Sequence, residues 1–80
     1  MTRDNIKEQL TQIFRDIFDD SCVVIADGTT AKDVKGWDSV SHIDMICMVE
    51  EAFKVRLTTK EVSSLENVGE LISVIERKIQ

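Results

Sequence analysis

The chain has 80 residues, a hydrophobic fraction of 42% and a net charge of −5. A chain this short buries only about 60% of the surface that its unfolded form exposes, so it has no room for a deep catalytic cavity. The acidic balance argues against binding to nucleic acid, because neutralising phosphates requires clustered Lys and Arg side chains. A binding or carrier role is therefore favoured over an enzyme.

The first predicted element is an amphipathic helix near the N-terminus. Its apolar residues recur at the spacing of one helix face, and they are Ile6, Leu10, Ile13, Phe14, Ile17 and Phe18. Asp19, Asp20 and Ser21 indicate the end of this helix, and residues 19–37 predict a long connection. Within the connection, the run Val23, Val24 and Ile25 has no second strand to pair with, so we expect loop residues that pack under the helices.

The segment Gly-Trp-Asp-Ser at residues 36–39 predicts the start of a second helix. Asp38 is the predicted N-cap, because its carboxylate can accept hydrogen bonds from first-turn N–H groups that have no partner within the helix. Ser39 is then the first exposed helical residue, beside free N–H donors and the positive end of the helix dipole. The helix is expected to end near Phe53. We expect Val40, Ile43, Ile46, Val49 and Phe53 to face inward and Ser41, Asp44, Met48 and Glu51 to face outward.

Two further N-cap patterns predict the remaining helices. Residues 58–61, Thr-Thr-Lys-Glu, have the form of a capping box and predict a short helix that ends near Ser64. Asn67 is predicted to cap the last helix, with Glu70 reaching back to it. The apolar stripe of this helix is Leu71, Ile72, Ile75 and Ile79. The sequence thus predicts an all-α bundle of three longer helices and one short helix.

The motif Asp38-Ser39-Val40 lies inside a longer pattern that resembles a known family. It is followed by Ser41-His42-Ile43-Asp44, by Val49-Glu50-Glu51-Ala52-Phe53 and by a tail at residues 65–71. Together these segments resemble the Asp-Ser-Leu motif, second helix and C-terminal part of acyl carrier proteins. The resemblance covers essentially the whole chain, residues 1–80, and implies one four-helix carrier domain with a long loop between the first two helices.

The resemblance also implies a covalent cofactor and a set of partner enzymes. In the family, 4'-phosphopantetheine is carried on the serine that matches Ser39, and a phosphopantetheinyl transferase takes it from coenzyme A. The arm then carries acyl groups as thioesters to acyl-loading, acyl-transfer or synthase enzymes. Six residues fall at positions that the family uses for partner contact, namely Asp38, Ile43, Asp44, Cys47, Glu50 and Glu51.

Some features differ from those of many fatty-acid-synthesis carriers. Val40 and Ser41 stand where those carriers have a leucine and an acid. Between residues 39 and 60 the charges nearly cancel, since Asp44, Glu50 and Glu51 oppose Lys54, Arg56 and Lys60. Long-range steering toward basic partners should therefore be weak. We interpret the chain as a specialised carrier for a fatty-acid, lipid or polyketide-type pathway.

Two alternatives remain open at this point. One is a carrier whose cargo is an aminoacyl, peptidyl or D-alanyl group instead of an acyl chain, and the other is an unmodified helical adaptor. Catalysis by the chain itself is disfavoured, because its only histidine is His42 and the sequence around Ser39 is not the Gly-x-Ser-x-Gly of a nucleophile elbow. Trp37 is expected to pack under the loop rather than to contact the arm or a partner.

The remaining expectations concern location, thiols and metals. No run is long enough to span a membrane and no secretory signal follows Arg3, so we expect a cytoplasmic monomer. Cys22 and Cys47 do not form a Cys-x-x-Cys pair, and we expect two buried or half-buried free thiols. The acids Asp19, Asp20, Asp27 and Asp33 lack the spacing of a calcium-binding loop, so no metal site is predicted.

Overall fold

The computed structural model describes residues 2–19 and 23–79. Within these ranges the chain forms four helices and no strand: α1 (Arg3–Ile17), α2 (Ser39–Phe53), α3 (Thr59–Ser64) and α4 (Val68–Ile79). The prediction of an all-α bundle with three longer helices and one short helix is confirmed. The predicted turn at Asp20 and Ser21 and the thiol of Cys22 lie outside the described residues.

The hydrophobic core is built from one face of each long helix, with α1 packed against both α2 and α4. It contains Ile6, Leu10, Ile13 and Phe14 of α1, Met45, Ile46, Val49 and Phe53 of α2, and Val68, Leu71, Ile72, Val74 and Ile75 of α4. The α1 and α4 residues follow the spacing that the sequence predicted. On α2 the buried residues begin only at Met45, so the first turn and a half of this helix lies at the edge of the core.

The loop between α1 and α2 is fixed to the core at two points. Ile25 and Val34 are buried, whereas Val24 is 79% exposed. The expectation that the run 23–25 packs under the helices is therefore right for Ile25 and wrong for Val24. Near the end of the loop, Gly36 has a φ of +91°, a conformation that glycine adopts without the steric cost that a Cβ atom would bring.

The N-terminus of α4 is bonded to the same loop. The Val68 N–H donates to the carbonyl oxygen of Thr29 at 2.9 Å, and the Gly69 N–H donates to that of Asp27 at 2.7 Å. The loop carbonyls thus satisfy two N–H groups that have no partner within α4. Arg3 of α1 also forms an ion pair with Asp27 at 3.6 Å. The loop is held between α1 and α4, and its last residues are positioned at the start of α2.

The predicted capping box opens α3. The Thr58 hydroxyl accepts from the Glu61 N–H at 3.1 Å, and the Glu61 carboxylate accepts from the Thr58 N–H at 2.8 Å. Glu61 also pairs with Lys78 near the end of α4 at 3.0 Å. The Thr58 N–H, followed by Lys78, lowers the pKa of Glu61. The Glu61 carboxylate therefore caps the start of α3 and also links α3 to α4.

The cap of α4 differs in one detail from the prediction. The Asn67 side-chain oxygen accepts from the Glu70 N–H at 2.9 Å, as expected. The Glu70 carboxylate accepts from the Glu66 N–H at 2.6 Å rather than from that of Asn67. The reach-back is thus one residue longer than in a capping box, and it closes the turn that joins α3 to α4.

Candidate functional site

Ser39 is the first residue of α2 and its side chain is exposed. Within residues 2–19 and 23–79, its hydroxyl has no hydrogen-bond partner. The residue before it, Asp38, has extended backbone angles and is the N-cap of the helix. An exposed hydroxyl without a partner is therefore presented at the positive end of the α2 dipole.

The backbone on either side of Ser39 is held by a capping box. The Asp38 carboxylate accepts from the N–H groups of Val40 and Ser41, both at 3.0 Å. In return, the Ser41 hydroxyl accepts from the Asp38 N–H at 2.8 Å and donates to the Gly36 carbonyl at 2.9 Å. These bonds, with that from the Ser41 N–H contributing most, lower the pKa of the exposed Asp38 carboxyl group. The prediction of Asp38 as the N-cap is confirmed.

The expectation that a group on Ser39 would lie beside free N–H donors is wrong for the next two residues of the helix. The Val40 and Ser41 N–H groups are already bonded to Asp38. A phosphate on Ser39 would therefore gain from the helix dipole and from solvent, but not from these two N–H groups. A cap that consists of a carboxylate makes the first turn rigid and at the same time occupies its donors.

Trp37 and His42 form a hydrogen-bonded pair next to Ser39. The Trp37 Nε1–H donates to His42 Nδ1 at 3.1 Å, and His42 Nε2 lies 3.3 Å from the Val62 carbonyl oxygen of α3. An indole N–H only donates and a carbonyl only accepts, so both bonds require a neutral imidazole with its proton on Nε2. The Trp37 ring also stands edge-on to Phe14 of α1, with 5.1 Å between ring centroids. Trp37 is half-buried against the core, as the sequence indicated.

A groove of about 450 Å³ opens beside Ser39, between the start of α2 and α3. It combines apolar walls with a few polar and charged side chains, and its lining residues are Ala31, Trp37, Asp38, Ser39, His42, Ile43, Val62, Ser63, Leu65 and Glu66. A larger groove of about 680 Å³ lies elsewhere, between the start of α1 and α4, and is lined by charged residues that include Arg3 and Asp27. Of these two grooves in the described part of the chain, the smaller one includes Ser39 in its lining.

Comparison with solved structures places this arrangement in a family. The structure is similar to that of the holo acyl carrier protein from Geobacter metallireducens, with a TM-score of 0.85 and 37% sequence identity over 91% of this chain and 84% of that one. The chain belongs to the acyl carrier protein family. It is thus a carrier protein, and its family carries phosphopantetheine.

A second comparison gives the same fold at lower identity. The acyl carrier protein from Thermotoga maritima has a TM-score of 0.84 and 23% identity over 96% of this chain and 89% of that one. No protein-family profile matches the chain, and no curated protein sequence matches it. The assignment to the acyl carrier proteins therefore rests on the similarity to solved structures.

Four of the six predicted partner-contact residues share one exposed stripe of α2. Ile43 is 56% exposed, and Asp44, Cys47 and Glu51 are exposed as well. Their spacing along α2 places them on the side of the helix that also carries Val40, which is 71% exposed. We call these five residues the α2 stripe. Two earlier expectations were wrong, because Val40 and Ile43 do not face inward and the Cys47 thiol is not buried.

The other two predicted contact residues have structural partners. Asp38 caps α2, as described above. Glu50 is half-buried, and its carboxylate accepts from the Leu57 N–H at 2.9 Å. Its backbone carbonyl accepts from the N–H groups of Lys54 and Val55, so Glu50 holds the turn that follows α2. Glu50 does not belong to the α2 stripe.

Sequence reasoning missed the groove residues on α3 and the loop after it. Val62 and Leu65 are half-buried and line the groove, but nothing in their spacing relates them to Ser39. Val40 had a usable signal, since it lies three residues before Ile43 and four before Asp44, on the same side of a helix. A helix with apolar residues on two sides does not reveal which side is buried.

The site fits the phosphopantetheine group that its family implies. The Ser39 hydroxyl is exposed and has no partner in the described ranges, so its oxygen is accessible to a modifying enzyme. The adjoining groove offers the apolar side chains of Trp37, Ile43 and Leu65 to an arm attached there. The carboxylate of Asp38 adds a negative charge, which the positive end of the α2 dipole partly offsets.

The described residues show neither a metal-binding cluster nor a membrane-spanning helix. In residues 2–19 and 23–79, no group of three or more His, Cys, Asp or Glu side chains is placed to hold a metal ion. Among the loop acids, Asp27 pairs with Arg3 and Lys7, and the Asp33 carboxylate accepts from the Thr30 N–H. No helix in the same ranges has the length and apolar character needed to cross a membrane.

Proposed function

We propose that residues 1–80 act as one carrier domain that holds 4'-phosphopantetheine on Ser39 and transports acyl groups between cytoplasmic enzymes. When bound, this cofactor supplies a terminal thiol on which an acyl group is held as an activated thioester. The chain itself supplies the attachment point, a groove and a surface for partners, and it acts as a monomer without catalysing the reactions. A phosphopantetheinyl transferase, acyl-loading and acyl-transfer enzymes, and synthases are the partners.

The observation that carries this proposal is the presentation of Ser39. Its hydroxyl is exposed and has no partner in the described part of the chain, while Asp38 before it is bonded to Val40 and Ser41 after it. A transferase therefore meets a rigid backbone with one reactive oxygen on it. The Ser39 oxygen loses its proton and forms the phosphoester bond with the phosphopantetheine phosphorus, while the pyrophosphate P–O bond of coenzyme A breaks and adenosine 3',5'-bisphosphate leaves.

The α2 stripe is the proposed surface for partner enzymes. It combines the apolar side chains of Val40 and Ile43 with the acids Asp44 and Glu51, and it runs away from Ser39 along α2. A partner docked on the stripe has its active site within reach of an arm on Ser39. The apolar residues contribute contact area, and the acids orient a basic partner surface.

The summed charge near the stripe supports a specialised carrier. Lys54, Arg56 and Lys60 are exposed on the residues that follow α2, close in sequence to Glu51. Their positive charges offset the field of the acids, so long-range attraction to generic basic partners is weak. We propose dedicated partners in a fatty-acid, lipid or polyketide-type pathway. A fast and strongly salt-sensitive association with a housekeeping ketoacyl synthase would contradict this part of the proposal.

The attachment of the cofactor is tested by intact mass. The protein is incubated with coenzyme A, magnesium and a promiscuous phosphopantetheinyl transferase, beside the variants Ser39→Ala and Ser63→Ala. Ser63 is the matched control, because it is an exposed serine that lines the same groove. The parent protein and Ser63→Ala should each gain one phosphopantetheine, and Ser39→Ala should gain none. Gain in Ser39→Ala, or no gain in the folded parent protein, would overturn the proposal.

A further inference from the structure

His42 connects three separate parts of the fold through its two ring nitrogens. Nδ1 accepts from Trp37 in the loop before α2, and Nε2 donates to the Val62 carbonyl of α3, while the residue itself belongs to α2. Both ring nitrogens form hydrogen bonds, and a movement of α3 away from α2 would break the bond between His42 Nε2 and the Val62 carbonyl. We call this arrangement the His42 bridge.

The Val62 carbonyl needs a donor from outside its own helix. α3 ends at Ser64, and the N–H group four residues after Val62, that of Glu66, donates instead to the Glu70 carboxylate at 2.6 Å. The Val62 carbonyl is thus one of the terminal carbonyls that have no partner within a helix. His42 supplies the missing donor, and the loss of this bond would leave a half-buried carbonyl without a partner.

The bridge lies between the groove and the core. His42 lines the groove beside Ser39, and the residues one and two turns further along the same side of α2 are Met45 and Val49, both fully buried. A chain that runs from Ser39 toward Met45 along this side of α2 therefore meets the contacts that join Trp37, His42 and Val62. At this point the His42–Val62 bond joins α2 to α3, and the Trp37–His42 bond joins the preceding loop to α2.

We propose that His42 is a specificity-determining residue that keeps the cargo of this carrier in the surface groove and out of the core. The inference rests on the proposed function, because it concerns cargo attached at Ser39. The groove is small and has both apolar and charged walls, with Trp37 and Leu65 beside Asp38 and Glu66. It suits acyl groups that are short or that carry polar substituents. A long unbranched chain would remain largely in solvent.

The test compares a short and a long apolar group attached at residue 39. Ser39→Cys is made together with Cys22→Ser and Cys47→Ser, and the single thiol is alkylated with N-ethyl or N-octyl iodoacetamide. No transferase is needed, so the result does not depend on phosphopantetheine transfer to Ser39. If Ser39 gains no phosphopantetheine but the octyl group stays outside the core, the proposed function alone is overturned. If Ser39 gains phosphopantetheine but the octyl group enters the core with His42 present, this inference alone is overturned.

The readout is the difference in Tm between the octyl and ethyl forms. Each fully buried methylene raises the Tm of a domain of this size by roughly 3 °C or more, so an octyl group inside the core gives a difference above about 10 °C. With His42 present we expect a difference below about 2 °C, since the octyl group stays outside. With His42→Ala, we expect a difference above about 10 °C and nuclear Overhauser contacts between the octyl group and the Met45 methyl.

Two further variants separate the bridge from general loosening of the fold. Trp37→Phe keeps an aromatic ring but removes the N–H donor to His42, so it should raise the octyl–ethyl difference less than His42→Ala does. It also serves as the test variant if His42→Ala does not fold. Ser64→Ala changes an exposed α3 residue that lies outside the groove and the bridge, so it should behave like the parent. A difference above about 10 °C with His42 present, or none in any bridge variant, would overturn the inference.

Discussion

Asp38 and Ser41 hold each other by reciprocal hydrogen bonds across Ser39. The Asp38 N–H donates to the Ser41 hydroxyl at 2.8 Å, and the Ser41 N–H donates to the Asp38 carboxylate at 3.0 Å. Of the two residues between them, Val40 also donates its N–H to the Asp38 carboxylate, whereas the Ser39 side chain needs no bond for its backbone to stay in place. This explains how a loop of about twenty residues ends in a serine whose backbone is fixed and whose hydroxyl is exposed.

The first prediction concerns the pH dependence of this cap. Hydrogen bonds to the ionised carboxylate lower the pKa of Asp38 in the folded protein below its ordinary value of 3.8. The stabilisation is therefore fully present above pH 3.8 and is lost as the pH falls through the lower, folded-state pKa. Asp38→Asn should reduce the free energy of unfolding near pH 7, and the difference from the parent should shrink in more acidic solution. Urea unfolding at several pH values measures it, and a difference that does not change with pH would contradict it.

The second prediction uses two isoleucines of α2 that lie three residues apart. Ile46 is 6% exposed and lies in the core, whereas Ile43 is 56% exposed on the α2 stripe. Ile46→Ala should lower the free energy of unfolding by about 2–5 kcal/mol, because it leaves a cavity. Ile43→Ala should change it by less than about 0.5 kcal/mol. Chemical denaturation of both variants checks this, and equal losses would mean that Ile43 faces inward after all.

The same pair shows what sequence reasoning predicted and where it failed. The ends of α2 were predictable, because Asp38 provides a strong N-cap and the apolar residues continue to Phe53. The side of α2 that is buried in its first turns was not predictable. Apolar residues at 40, 43, 45, 46 and 49 leave more than one possible inner face, and the choice depends on where α1 crosses α2. On α1 and α4 the apolar residues form a single stripe and the charged residues lie on the opposite side of the helix, so the buried side was evident from spacing alone.

The third prediction concerns the joint between the loop and α4. A Cβ atom at Gly69 would lie 2.8 Å from the Asp27 carbonyl oxygen, which is the oxygen that the Gly69 N–H binds. Gly69→Ala should therefore cost about 1–3 kcal/mol of unfolding free energy, even though alanine is the better helix former. Gly28→Ala is the control, since a Cβ atom there would have no heavy atom within 4 Å.

Thermal or urea unfolding of the two glycine variants gives the comparison. Gly28→Ala should leave stability unchanged or raise it by up to about 1 kcal/mol, through the lower entropy of the unfolded chain. A stable Gly69→Ala protein would show that α4 can move away from the loop without cost. In that case the loop would not be fixed to α4 in the way that positions the start of α2.

The fourth prediction separates the adjacent acids Glu50 and Glu51. Glu50→Ala removes the acceptor of the Leu57 N–H and should cost about 1–2 kcal/mol in unfolding free energy. Glu51→Ala changes an exposed side chain of the α2 stripe and should cost less than about 0.5 kcal/mol. With a cognate partner enzyme, Glu51→Ala should slow association, and surface plasmon resonance would detect this. A stability loss for Glu51 and none for Glu50 would reverse the assignment.

The candidate site was only partly predictable for a physical reason. Ser39 and its cap are adjacent in sequence, so local chemistry was enough to identify them. The Trp37–His42–Val62 contacts join residues that are up to 25 positions apart, and no local pattern relates them. The same holds for Glu50, whose partner Leu57 is reached only after the chain has turned at the left-handed Lys54.

The central claim, that Ser39 carries 4'-phosphopantetheine, is tested most directly on protein purified from its native host. Intact mass followed by tandem fragmentation of the peptide that contains residues 36–54 measures both the presence and the position of the group. The prediction is a mass increase of one phosphopantetheine located on Ser39. An unmodified chain in every growth condition, or a phosphopantetheine located on another residue, would contradict it, and the unmodified result would favour the adaptor alternative.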